Sequence, residues 1–149
     1  MKVQIRPKVF ETNSSSSHSF CIATGDLTDS ISVVNGQVVV TFGEFGWGVE
    51  TYFDADTKLS YLYTWIMNHS DNKQNHLNYL DQLIKDRVGE GIEVIFDDPD
   101  PDRSEWFACG YIDHQSVDVA EEIMSKSEEE IKQFLFNDRS ILLIDNDNH

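Results

Sequence analysis

Two short polar stretches carry the side chains best suited to chemistry. The first is Asn13, Ser14, Ser15, Ser16, Ser17, His18 and Ser19, closed by Val9-Phe10 before it and Phe20-Cys21-Ile22 after it. The second is Asp113, His114, Gln115 and Ser116, delivered at the end of the apolar run 106–112. His18 and His114 are catalytic candidates because an imidazole exchanges protons near neutral pH, and Asp113 could orient such a ring. A serine hydroxyl supplies a nucleophile, and successive backbone N–H groups along Asn13 to Ser17 could hold an anion, with Gln115 and Ser116 as further ligand groups. If the two stretches meet, they suit hydrolysis or group transfer on a phosphate-bearing substrate, or nucleotide binding. Adjacency of Ser17 and His18 is not itself a dyad, since neighbours on a strand point to opposite faces. A polar loop that staples two strands through local hydrogen bonds accounts for the same residues, and both readings stay open.

A second kind of chemistry is electrostatic. Residues 97–130 hold twelve carboxylates against Arg103 and Lys126, a local net charge of −10 within a total of −16. Asp97, Asp98, Asp100, Asp102, Glu121, Glu122, Glu128, Glu129 and Glu130 are the candidate partner-binding residues. Carboxylates crowded on one part of a domain can imitate a phosphate track and occupy a basic groove of another protein. A solvated acidic face that keeps the chain soluble is the competing explanation. The same charge argues against direct binding of DNA or RNA, where attraction to phosphate dominates affinity.

Other site chemistries fit poorly. The Asp-x-Asp-x-Asp spacing from Asp98 would need Gly and Glu at the sixth and twelfth positions of a calcium loop, which here are Arg103 and Cys109. His69 and His76 lack metal-ligand spacing, and no His/Cys set resembles a zinc site. Neither a metal nor a cofactor is expected. Gly43-Glu44-Phe45-Gly46-Trp47-Gly48 is not a dinucleotide fingerprint and follows a hairpin pattern rather than opening a βαβ unit. Cys21 and Cys109, far apart and without a CxxC, read as free buried thiols of a reducing cytoplasm, with a disulfide as the lesser alternative. No apolar run follows Lys2, Arg6 and Lys8, so neither a signal peptide nor a membrane span is expected.

The elements that must position these groups follow from patterning. With 149 residues, 40% apolar and 26% charged, the chain reads as one globular domain able to bury a core unaided. Residues 2–10 alternate as a strand in which Pro7 argues for an edge or a break, and 20–23 form a second. Asn35-Gly36 between β-branched runs predicts a two-residue hairpin over 31–42. Asp56 or Thr57 is placed to cap a helix through about His69, with Leu59, Leu62, Tyr63, Ile66 and Met67 on one face. A second helix spans about 74–88, ended by Gly89. Strands follow at 92–96 and 106–112. Ser127 and Glu130 form a capping box for a short helix through Phe136, and 140–144 close the chain as a strand. The order predicts an α+β domain, a largely antiparallel sheet with a helix pair on one face and one or two short C-terminal helices.

Four of these landmarks, residues 10–19 (FETNSSSSHS), 43–48 (GEFGWG), 58–62 (KLSYL) and 110–116 (GYIDHQS), together resemble a family of small, functionally uncharacterised bacteriophage and prophage proteins. The resemblance runs over most of the chain and implies a viral origin and the cytoplasm of an infected bacterium. It carries over no activity. With the charge, it makes the leading expectation an acidic phage protein that binds and modulates a host protein with a basic surface. The small enzyme or nucleotide-binding protein is the alternative.

Overall fold

A computed structural model describes residues 3–7, 16–45, 50–97, 111–112 and 117–146. Twelve elements follow in order within them: β1 (Val3–Pro7), β2 (Ser16–Ala23), β3 (Gln37–Val40), β4 (Glu44–Phe45), β5 (Glu50–Tyr52), α1 (Ala55–His69), α2 (Lys73–Val88), β6 (Glu93–Phe96), β7 (Tyr111–Ile112), α3 (Val117–Met124), α4 (Glu128–Phe136) and β8 (Ile141–Asn146). The fold is α+β. Its main sheet has the order β1-β2-β8-β5 and is antiparallel throughout. Two small parallel pairs, β3–β6 and β4–β7, stand apart from it.

Strand β2 begins four residues earlier than the apolar run suggests. Ser16, Ser17 and His18 lie in register with Asn146, Asp145 and Ile144 of β8, while Pro7 at the end of β1 pairs with Ser19. Alternation therefore puts His18, Phe20 and Ile22 on one face, and all three are buried. Their cross-strand neighbours Leu142 and Ile144 are buried with them.

Helix α1 is the centre of the core. Asp54 caps it, accepting from the Thr57 N–H at 2.8 Å and from the Thr57 hydroxyl at 2.6 Å, so the helix starts ahead of the expected Asp56 or Thr57 cap. Buried residues surround it on all sides rather than forming one stripe, because α2, α3, α4 and β3 all pack against it. Tyr61, Leu62 and Ile66 are 0% exposed. Helix α2 lies beside α1 and buries Leu80, Leu83 and Ile84. Phe134 of α4 meets Phe20 of β2 edge to face, centroids 6.2 Å apart.

The hairpin over 31–42 is reduced to its turn. Asn35 and Gly36 both have positive φ, 53° and 75°, and Val34 and Gln37 exchange both backbone hydrogen bonds across them. That matches the two-residue turn the Asn-Gly pair calls for. Among the described residues the arm before it makes only this one bridge, and β3 takes β6 as its partner instead. The capping box at α4 is complete: the Ser127 hydroxyl accepts from the Glu130 N–H while Glu130 reaches back to the Ser127 N–H.

Candidate functional site

His18 sits inside the core. It is 0% exposed, and its Nδ1 is hydrogen bonded with the Tyr61 hydroxyl of α1 at 2.9 Å. Tyr61 in turn meets Phe45 edge to face, centroids 5.0 Å apart. The imidazole thus joins the sheet to the central helix and does not face solvent. Ser16 and Ser17 belong to β2 beside the end of β8. Asn13, Ser14 and Ser15, and the whole of Asp113, His114, Gln115 and Ser116, lie outside the described residues, as do Asp98, Asp100 and Asp102.

The remaining carboxylates divide by role. Asp97 prolongs the β3–β6 pair, its N–H donating to the Val40 carbonyl at 2.9 Å, and its own carbonyl accepts from Tyr63 at 3.3 Å. Glu130 is used in the capping box. Glu121, Glu128 and Glu129 are exposed, and Glu122 is half-buried. Glu128 and Asp86 flank Lys132 from opposite helices, at 3.2 Å and 3.4 Å, which brings α2 and α4 onto one surface. Gln82 extends that surface by donating to Asp86 at 2.8 Å and to Glu90 at 3.3 Å. The Gln82 hydrogen bond, with Lys132 alongside, holds Asp86 below the usual carboxylate range, so it stays ionised at neutral pH. Asp86 and Glu90 were not among the expected partner-binding residues. Helix α2 by itself carries three cations against Asp81 and Asp86, with Glu90 just beyond its end, and only its packing beside α4 adds Asp86 and Glu90 to the acidic face.

A cleft of about 300 Å³ opens where the end of α1, the start of α2 and the end of α3 converge. Ser70 and His76 lie in its wall, with the Ser70 hydroxyl 2.6 Å from Nδ1 of His76. His69, Asp71 and Glu121 also line it. In the sequence, His69 and His76 stand out only as residues without metal-ligand spacing, and nothing marks Ser70. A Ser and a His six residues apart across a helix-turn-helix joint have no local signature. Among the described residues, no group of three or more His, Cys, Asp or Glu side chains could hold a metal ion.

Lys58 is the other unforeseen polar group. It is 0% exposed in α1, and its ammonium donates to the carbonyls of Asn137 and Ser140 at 3.2 Å and 2.9 Å, 5.4 Å from the centre of the Phe134 ring. Burial drives its pKa down to about 8, and the charges of Asp29, Asp54 and Asp138 offset part of that fall. Around it, Ser140 donates to the Gln133 carbonyl at 2.7 Å and accepts from the Ala23 N–H at 2.9 Å. The Asn137 amide bonds Gln133 at 3.0 Å. This network fixes the α4–β8 turn against β2.

Comparison of the chain with protein-family models, with curated proteins and with solved structures finds no match. Among the described residues no helix is long and apolar enough to cross a membrane.

Proposed function

We propose that this chain is an acidic binding protein that docks on a basic surface of another protein, the partner being a protein of a bacterial host. The observation that carries the reading is the position of Lys132 between Asp86 and Glu128, which merges the carboxylates of α2 and α4 into one face. Asp86, Glu90, Glu128 and the exposed Glu129 outnumber Lys132 and the neighbouring Arg87, whose guanidinium donates to the Asp29 and Leu27 carbonyls. An exposed ion pair of this kind contributes little to stability, so the face is not required by the fold. Its charge, within a total of −16, would steer association with a cationic groove and repel nucleic acid. The phage resemblance of residues 10–19 motivates the choice of a host partner.

The test compares two proteins on one matrix: the native chain and a variant carrying Asp86→Asn, Glu90→Gln, Glu128→Gln and Glu129→Gln. Each is used to capture proteins from a bacterial lysate at several salt concentrations. The native chain is expected to retain a partner that elutes as salt rises, and the variant to lose it. A partner held equally by both proteins, or held independently of salt, would rule the acidic face out.

A further inference from the structure

We propose that the cleft between α1, α2 and α3 is a nucleophilic site, in which Ser70 attacks the carbonyl carbon of a small uncharged ester and His76 carries the proton. Neither residue belongs to the acidic face, and the proposal stands independently of it.

Ser70 is held rigidly at the joint between α1 and α2. Its N–H donates to the Ile66 carbonyl at 3.1 Å, and its carbonyl accepts from the Lys73 ammonium at 3.0 Å. Its hydroxyl oxygen accepts from the Asn72 N–H at 3.0 Å and lies 2.6 Å from Nδ1 of His76; in the tautomer with Nδ1 unprotonated the hydroxyl donates to the ring. The Asn72 bond closes the turn by itself, so the turn does not need the imidazole. The ring is nevertheless fixed there, on the first turn of α2 and against the Trp65 indole with centroids 5.6 Å apart. A hydroxyl and a base within hydrogen-bond reach are the pair an activated serine requires, and the Trp65 contact limits where the ring can turn.

The surroundings select the substrate. About 300 Å³ is at the small end of the range for ligand sites, room for one short acyl group and its leaving group. Met124 and Trp65 supply apolar wall, while Asp71 and Glu121 disfavour a phosphate or carboxylate. In the acylation step the Ser70 oxygen bonds to the carbonyl carbon and the ester C–O bond breaks. The Ser70 proton passes to His76 and from there to the departing alcohol. Water then attacks the acyl-serine, giving up its proton through His76 to Ser70 and releasing the acid.

The experiment treats the folded full-length protein with an alkyl fluorophosphonate, which phosphonylates activated serines with loss of fluoride, and locates the adduct by peptide mass spectrometry. The adduct is expected on Ser70 and absent from Ser70→Ala. His76→Gln can still accept from the hydroxyl but cannot carry its proton, so labelling is expected to fall about a hundredfold with the thermal midpoint little changed. Native protein that takes up no probe at Ser70, while a control serine hydrolase is fully labelled, overturns the proposal. Equal labelling rates for native protein and His76→Gln overturn it as well. Hydrolysis of p-nitrophenyl acetate with an initial burst is the second readout, expected of the native chain and lost in Ser70→Ala.

Discussion

The ammonium of Lys58 lies 2.9 Å from the carbonyl oxygen of Ser140, eighty-two residues further along the chain. It has no carboxylate in direct contact among the hydrogen bonds and ion pairs of the described residues, only two carbonyls and the Phe134 ring. A lysine held in this way is tied to the fold by polar geometry and opposed by desolvation.

That opposition is measurable as a dependence of stability on pH. Burial lowers the Lys58 pKa from 10.5 to about 8 in the folded protein. Between those values the unfolded chain binds a proton that the folded chain has released, so the Lys58 contribution to stability rises with pH across that window. The full effect is on the order of 3 kcal/mol. Cys21, Tyr52 and Tyr79 act in the opposite sense, because burial raises their pKa values and folding then favours the protonated forms as pH climbs. They are common to native protein and Lys58→Met. Urea denaturation of both proteins at pH 7.5 and pH 10 is therefore expected to show the difference between them shifting in favour of the native chain. A constant difference would mean that Lys58 is not desolvated.

The His18–Tyr61 pair is expected to matter for stability. Tyr61→Phe keeps the ring that packs on Phe45 and removes the hydroxyl that lies 2.9 Å from the imidazole. Loss of one member of a buried hydrogen bond costs about 1–3 kcal/mol. A lowered denaturation midpoint with an unchanged slope is the expected result. No change in midpoint would show that the contact is not formed in solution.

At the start of α4, Ser127→Ala removes the acceptor of the Glu130 N–H and half of the capping box. The expected loss is about 1 kcal/mol. Glu130→Gln retains a side-chain oxygen for the Ser127 N–H and is expected to lose less. If Ser127→Ala is neutral, α4 owes its stability to the buried Ile131, Phe134, Leu135 and Phe136 alone.

What could be read in the residues was local. Apolar spacing and Gly89 located both long helices, Ser127 and Glu130 located α4, and short apolar runs located β6 and β8. Long-range partners left no such trace. Strand β3 chose β6 because the intervening α1–α2 pair carries the chain back beside it, whereas the arm before Asn35 offered only a closer candidate. Extending the alternation of Phe20 and Ile22 back by one step would have put His18 in the core, but the serines around it looked like loop. Lys58 resembles any exposed helical lysine until α4 and β8 fold over it, and Ser70 and His76 meet only because α2 turns back on α1.

The Asn35-Gly36 turn isolates backbone strain from packing. Gly36 has φ +75°, and a Cβ added there would meet nothing within 4 Å. Any cost of Gly36→Ala therefore comes from holding an L-residue in the left-handed region, about 1 kcal/mol. Gly36→Asn tolerates that region better and is expected to recover part of the loss, whereas Gly36→Val, β-branched, is expected to lose more than alanine. The order Gly, Asn, Ala, Val in denaturation midpoint tests the turn directly. Equal midpoints for all four would show that residues 34–37 do not adopt the turn in solution.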